Sequence, residues 1–339
     1  MRILPIEEAV GQVLCHDITR IIPGKEKGVG FKKGHIIREE DVCELKKLGK
    51  DHIYVWEAGP GLLHEDAAAD ILRRLCQGRH MLAGQPREGK IELTAEIDGL
   101  FKVDSARLNA VNALGEMMIA ARHGNFPVKA GDILAGMRVI PLLIEEEKMR
   151  AAEQLAGAEP LFELLPLQKK AYAVISTGNE IYQRRIKDAF TPVIIAKLAA
   201  YGCRDVFTAI SPDDSSHTAA LIGQAIDSGA ELVICTGGMS VDADDLTPAA
   251  IRASGARIVS YGAPVLPGAM IMLAYYHDHI PIVGLPGCAM YNKVTIFDLL
   301  LPRLLADDKI SAAELSALGE GGLCLNCDPC IFPNCGFGK

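Results

Sequence analysis

Short apolar runs alternate with helical stretches through the second half of this chain. The runs are AYAVIS (171–176), CRDVFTAI (203–210), ELVICT (231–236), RIVSY (257–261) and IPIVGL (280–285). This alternation is typical of βαβ units, whose strands lie in a parallel or mixed sheet covered by helices. We therefore predict an α/β domain at 169–308.

The predicted helices of this domain share a start signal. Thr191-Pro192, Ser211-Pro212 and Thr247-Pro248 each place a hydroxyl directly before a proline. A hydroxyl can accept the first free N–H groups of a helix, and proline is favoured at the first helical position. These pairs predict three capped helix starts.

The rest of the chain is less regular. Residues 1–58 predict a small α+β region, and residues 59–168 predict a mainly β region that ends in a helical linker. Within the β region, Asp98-Gly99 between alternating apolar residues is a hairpin signal. Residues 309–339 follow the α/β domain as a cysteine-rich tail.

Composition narrows the classes of function. The 339 residues carry a net charge of -8, which disfavours nucleic-acid partners because phosphate neutralisation needs a basic surface. No apolar run approaches the ~20 residues of a transmembrane helix, so no membrane partner is expected. The first residues, MRILPIEEAVG, lack the basic and apolar parts of a secretion signal. We expect a cytoplasmic protein.

The loops that follow the predicted strands carry the candidate chemistry. Ligands of open α/β sheets bind beyond the carboxyl ends of the strands. The glycine pair Gly237-Gly238 would let backbone N–H groups approach a phosphate, and the hydroxyls of Thr177 and Ser240 add donors. The nearby acidic run 242–245 could hold Mg²⁺. The alternative is a plain turn followed by a solvated acidic loop.

Three of these loops resemble one family, the molybdopterin-binding domain of molybdopterin adenylyltransferases and molybdopterin molybdotransferases. Thr236-Gly237-Gly238 followed by Asp245 resembles its glycine-pair loop, whose aspartate stands eight residues beyond the first glycine. The segment 176–180 resembles its Thr-Gly-(Asp/Asn)-Glu loop, and 285–287 its Leu-Pro-Gly loop. The resemblance covers about 171–306. It implies a three-layer domain in a divergent molybdenum cofactor biosynthesis protein.

The resemblance also implies roles for individual residues. Asp245 and Asp188 would be catalytic, holding Mg²⁺ or orienting the reacting group. The residues that would bind molybdopterin or molybdenum cofactor are Thr177, Gly178, Glu180, Gly237, Gly238, Ser240, Pro286 and Gly287.

Two classes of function stay open. The first is a transferase of late molybdenum cofactor biosynthesis, acting by nucleotidyl or molybdate transfer, and the retained Asp245 favours it. The second is a non-catalytic carrier or sensor of the cofactor that serves a molybdoenzyme client. Ala269 favours this alternative, because it stands where the family's Pro-Gly-Lys-Pro segment has lysine. We further expect a homo-oligomer.

Four of the ten cysteines crowd the tail as Cys324-x2-Cys327-x2-Cys330-x4-Cys335. Four thiolates can bind one Zn²⁺ tetrahedrally or the corners of an iron–sulfur cubane, and the spacing does not choose between them. Unliganded thiols are the remaining alternative. We predict a metal centre, because unliganded thiols seldom repeat so closely in a reducing cytosol.

Overall fold

The computed structural model describes residues 2–22, 26–55, 60–87, 89–240 and 242–339. They fall into two compact units. The first comprises Met1–Glu96, Val103–Arg122 and Gly131–Glu163; the second comprises Ile97–Lys102, His123–Ala130 and Leu164–Lys339. The predicted domain boundary at 58/59 lies outside the described residues. Within the described ranges, no helix is both long and apolar enough to cross a lipid bilayer.

The strands are β1 (Arg2–Pro5), β2 (Ile18–Ile22), β3 (Glu26–Phe31), β4 (His52–Val55), β5 (Leu62–His64), β6 (Met81–Ala83), β7 (Lys90–Ala95), β8 (Gly99–Val103), β9 (Met117–Ala121), β10 (Phe126–Val128), β11 (Ile133–Val139), β12 (Leu143–Glu145), β13 (Phe162–Pro166), β14 (Ala171–Thr177), β15 (Arg204–Ser211), β16 (Leu232–Thr236), β17 (Arg257–Tyr261), β18 (Met272–Tyr276) and β19 (Ile280–Leu285). The helices are α1 (Glu39–Lys47), α2 (Glu65–Cys76), α3 (Ser105–Asn112), α4 (Glu146–Ala156), α5 (Asn179–Tyr182), α6 (Phe190–Ala199), α7 (Ser215–Asp227), α8 (Thr247–Ala253), α9 (Ile296–Leu305) and α10 (Ala312–Ala317). Two short 3-10 helices span Ile6–Ala9 and Gly287–Met290.

The first unit is built from small antiparallel sheets. Strands β6, β7, β11 and β9 form one sheet in that order, with α2 packed against β7 and β11. Three strand pairs, β1–β4, β2–β3 and β5–β12, form the others. A separate cluster of buried side chains near the start of the chain includes Ile6, Leu14, Ile37 and Leu45. These elements confirm the predicted α+β and mainly β character of the region before the α/β domain.

The hairpin predicted at Asp98-Gly99 is wrong. Strand β7 pairs with β6 and β11, whereas β8 lies between β10 and β13. The Asp98 side chain explains the difference, because it hydrogen-bonds a distant turn and not the turn in which it lies. Its Oδ1 accepts the N–H of Ala130 at 2.9 Å, and its Oδ2 accepts the Lys129 ammonium at 2.8 Å.

The second unit contains a six-stranded sheet with the order β15-β14-β16-β19-β18-β17. The first four strands are parallel to their neighbours, and β18 and β17 run antiparallel. Strands β18 and β19 form a hairpin whose turn carries His277 and Asp278 with φ of 48° and 63°. The predicted mixed sheet is confirmed.

Helices cover both faces of this sheet. On one face, Ile222 of α7 and Ile251 of α8 pack with buried strand residues such as Val233. On the other face, Leu198 of α6 and Leu300 of α9 belong to a larger buried cluster. The three-layer α/β architecture is therefore confirmed. Because the helices cover the faces of the sheet, loops form the carboxyl edge of the parallel strands.

Carboxylates, rather than the predicted hydroxyls, cap two of the helices at this edge. Asp188 accepts the N–H groups of Phe190 and Thr191 at the start of α6, at 2.8 and 3.1 Å. Asp214 accepts two N–H groups at the start of α7, which begins four residues after Ser211. Helix α8 does begin at the predicted pair, with Thr247 as its first residue.

Candidate functional site

The carboxyl ends of the four parallel strands meet at one edge of the sheet. Thr177 is in register with Ser211, Ser176 with Thr236, and Thr236 with Leu285. All five residues are buried. The three loops singled out in the sequence therefore start side by side, as the parallel topology requires.

The glycine pair lies against the end of β14. Gly237 and Gly238 have φ of 86° and 53°, which favour glycine. A Cβ built on Gly237 would lie 2.1 Å from the carbonyl oxygen of Thr177, and one on Gly238 would lie 3.1 Å from the Thr177 Oγ1. Only glycine allows the backbone of this loop to pass so close to the neighbouring strand.

Two threonine hydroxyls lie against the glycine pair, and a third lies on the other face of the sheet. The Oγ1 atoms of Thr177 and Thr247 are 3.0 Å apart, and both residues are buried. The Oγ1 of Thr236 is fully buried and has no hydrogen-bond partner among the described residues. An unpaired buried hydroxyl is costly, and this one faces the same side of the sheet as Leu285. The hydroxyls and the glycine cradle suit an anion such as a phosphate.

Asp188 is fully occupied by protein donors. Besides capping α6, its Oδ2 accepts hydrogen bonds from Ser176 Oγ at 2.9 Å and from Thr191 Oγ1 at 2.5 Å. Partial burial raises the pKa of this carboxyl, but these hydroxyl and backbone donors outweigh burial and hold the pKa below its usual value. The carboxylate thus ties α6 to the end of β14.

Asp245 has a freer carboxylate. Its Oδ2 accepts the N–H of Asp242 at 3.1 Å, and its own N–H bonds the Asp242 carbonyl at 3.0 Å. The side chain is half-buried, whereas Asp242 and Asp244 are exposed. Its Oδ1 has no partner in the described part of the chain, so this oxygen is available to a cation or a ligand.

The other predicted binding residues lie around the same edge. Gly178 is buried at the start of α5, and the exposed Glu180 folds back so that its Oε1 lies 2.7 Å from a Cβ built on Gly178. Pro286 precedes the 3-10 helix that begins at Gly287. Ser240 is exposed just beyond the glycine pair; its neighbour Val241 lies outside the described residues.

Sequence reasoning missed two parts of this edge. It treated Thr247 as a helix start only, although the Thr247 hydroxyl lies 3.0 Å from that of Thr177 and borders the glycine pair. It also missed a reciprocal pair between loops, in which Asp213 Oδ2 accepts the N–H of Asn179 at 2.9 Å and Asn179 Oδ1 accepts the N–H of Asp213 at 3.3 Å. Asn179 and Asp213 each follow a strand, and that position was the available signal in the sequence.

The tail cysteines lie apart from these loops. Cys324 and Cys335 are half-buried and pack against the second unit's core, while Cys327 and Cys330 are exposed. All four line one cavity. Among the residues that the structure describes, no three His, Cys, Asp or Glu side chains are grouped to hold a metal ion.

The unpaired hydroxyl gives a test that needs no ligand. We expect Thr236→Val to raise the free energy of unfolding by about 1 kcal/mol, because valine keeps the volume and removes a buried polar atom that lacks a partner. Thr218→Val is the matched control, since the Thr218 hydroxyl is buried but bonds Ser211 Oγ at 2.8 Å. That variant should be destabilised in chemical denaturation. Equal losses of stability in both variants would mean that the Thr236 hydroxyl has a hydrogen-bond partner in solution.

Comparison with known proteins gives two family matches. Residues 173–306 match a family described as a probable molybdopterin binding domain, and residues 3–57 match a domain of unknown function. The first match contains every predicted pterin-site residue.

One curated relative is the molybdopterin molybdenumtransferase of Synechococcus elongatus, 29% identical over 236 residues that cover 67% of this chain. The chain spans 56% of the length of that relative. Among solved structures, the tungsten cofactor synthesizing protein MoaB from Pyrococcus furiosus is 18% identical, with a TM-score of 0.34 over 42% of this chain and 98% of its own. MoaB from Thermus thermophilus is 16% identical, with a TM-score of 0.34, covering 41% and 98%.

Proposed function

We propose, since residues 173–306 match the family described as a probable molybdopterin binding domain, that the chain binds molybdopterin and acts in late molybdenum cofactor biosynthesis. The observation that carries the proposal is the Gly237-Gly238 cradle, whose positive φ angles and close approach to Thr177 only glycine allows. The 169–308 region would bind the pterin at the carboxyl edge of its sheet.

The residues at this edge divide into three roles. Gly237, Gly238 and the hydroxyl of Thr177 would seat the phosphate end of the pterin. Ser240, Glu180 and the Pro286-Gly287 turn would border the bound ligand. Asp188 would position α6 and Ser176 rather than take part in chemistry, because protein donors already use both of its oxygens.

Asp245 is the residue that we assign to the reacting group. Mg²⁺ commonly binds proteins through one or two carboxylates together with substrate phosphates, so a single available carboxylate fits that use. In this role Asp245 would hold Mg²⁺ against the phosphates of a nucleotide or pterin. Nucleotidyl or molybdate transfer depends mainly on positioning and charge, which a cation and a cradle can supply.

Asp245→Asn tests this assignment. We expect at least about a tenfold loss of transfer, or about 1.4 kcal/mol, because the amide keeps the size but removes the charge that a cation needs. The assay supplies molybdopterin, ATP, Mg²⁺ and molybdate and measures pyrophosphate, AMP and molybdenum cofactor. Asp244→Asn is the matched control, since Asp244 is exposed one residue away. Equal losses in the two variants would indicate a diffuse acidic patch instead.

The second candidate function is a carrier or sensor of the cofactor. Ala269 favours this candidate, because the molybdopterin-binding family that the sequence resembles has a lysine at this position. In this alternative the tail cysteines bind a metal ion or cluster, and the same pocket retains finished cofactor without turnover. Wild-type protein would then keep one pterin per chain in the assay above while releasing neither pyrophosphate nor AMP. A molybdoenzyme client, a homo-oligomer and a cytoplasmic location stay predictions of the sequence.

A further inference from the structure

All four tail cysteines face one cavity in the second unit. The cavity has a volume of about 220 Å³ and is lined by Cys324, Cys327, Cys330 and Cys335. Apolar side chains, among them Phe332 and Phe337, form much of the remaining wall. The closely spaced cysteines of the tail therefore all border the same cavity.

The segment that carries the cysteines is folded onto the domain. Cys324 donates its N–H to the Leu266 carbonyl at 2.8 Å, and Leu266 donates to the Gly322 carbonyl at 2.8 Å. Gly338 closes the segment by donating to the Gly321 carbonyl at 2.9 Å, and Phe337 is 3% exposed in the core. The far end of the loop is therefore fixed beside its beginning.

Glycines make this closure possible. A Cβ on Gly321 would lie 2.1 Å from the Lys339 carbonyl oxygen, and one on Gly338 would lie 2.5 Å from Leu299 Cδ2. Both residues have positive φ, of 80° and 77°. The loop is thus built to return on itself around the cysteines.

The dimensions favour a cluster over a single ion. Zinc draws four thiolates to about 2.3 Å from one point, which leaves no cavity between the sulfurs. Here all four thiols border one cavity of about 220 Å³. A cubane cluster has its own volume and takes one thiolate at each of four corners.

We propose that Cys324, Cys327, Cys330 and Cys335 bind a [4Fe–4S] cluster in this cavity. Two Fe²⁺, two Fe³⁺ and four S²⁻ give a core of charge +2, and each of the four thiols loses one proton to become a ligand. Phe332 and Phe337 limit water on the domain side, and the exposed Cys327 and Cys330 leave a side open for loading.

Anaerobic reconstitution of the full chain with equal amounts of Fe²⁺ and Fe³⁺, sulfide and a thiol reductant tests the proposal. We expect about four iron and four sulfide per chain after desalting, with visible absorption. Cys324→Ser and Cys330→Ser should each lose at least about half of this iron. Cys43→Ser, which changes an exposed cysteine outside the tail, should bind as the wild type does.

The pterin site shares no residue with the proposed cluster site, so its ligand reports on folding. Molybdopterin binding and the thermal midpoint of the metal-free serine variants should stay at wild-type values. One zinc and no iron per chain, after competition between Zn²⁺ and the iron–sulfide mixture, would overturn the proposal. So would reconstituted protein that carries no iron and four freely titratable tail thiols.

Discussion

Gly237→Ala should lower the affinity for molybdopterin at least about 100-fold, or about 2.7 kcal/mol. The added Cβ would lie 2.1 Å from the Thr177 carbonyl oxygen, so the loop must move away from the end of β14. That movement opens the cradle beside the hydroxyls of Thr177 and Thr247. Titration calorimetry with molybdopterin measures the effect.

Gly229→Ala is the control for backbone strain. Gly229 has a φ of 87°, nearly equal to that of Gly237, but a Cβ there has no described atom within 4 Å. This variant should lose about 1 kcal/mol of stability and keep its pterin affinity. If Gly237→Ala bound as well as Gly229→Ala, the glycine-pair loop would not form the binding site.

Arg303→Met is expected to lower the free energy of unfolding by about 3 kcal/mol. Arg303 is 4% exposed and donates from Nε to Asp308 at 2.5 Å and from Nη2 to Glu314. The substitution removes hydrogen-bond donors from the carboxylates of Asp308 and Glu314, although Lys102 still bonds Asp308 at 2.8 Å. Urea denaturation measures the change.

Arg257→Met is the surface counterpart of that variant. Arg257 pairs with Asp278 at 2.7 Å, but both side chains are more than half exposed. Exposed ion pairs contribute at most about 1 kcal/mol, so this variant should stay near the wild type. Equal losses of stability in Arg303→Met and Arg257→Met would contradict a structural role for the buried arginine.

The same ion-pair network gives a pH dependence. Burial raises the pKa of Glu314, but hydrogen bonds from Ser311 and Arg303 outweigh it and hold the pKa below its usual value. A carboxyl with a lowered folded pKa stabilises the protein above its unfolded pKa, near 4.5, and loses that contribution as the pH falls through the folded value. Arg303→Met should therefore weaken the dependence of stability on pH below about 4.5.

The site could be located from the sequence because its loops follow strands. In a parallel sheet, residues after successive strands must meet at one edge, so Thr177, Gly237 and Gly287 were identifiable from position and residue type alone. The unpaired state of Thr236 was not identifiable. Whether a hydroxyl finds a partner depends on atoms brought by other segments, and the sequence does not encode those distances locally.

The errors at helix starts and at the hairpin have one physical cause. Short polar side chains can bond either their own turn or a distant one, and local patterns favour the local choice. Asp98 bonds Ala130 instead of closing a hairpin, and Asp188 caps α6 in place of a hydroxyl. All four tail cysteines line one cavity, but the metal centre stays a prediction of their spacing, and the closure through Gly321 and Gly338 required the folded chain.

Native mass spectrometry of the wild-type chain mixed with molybdopterin tests pterin binding at this sheet edge most directly, with Gly229→Ala and Gly237→Ala measured beside it. We predict one pterin per chain for the wild type and for Gly229→Ala, and none for Gly237→Ala. Absence of a complex with the folded wild-type chain, or equal retention by all three proteins, would contradict the proposed site.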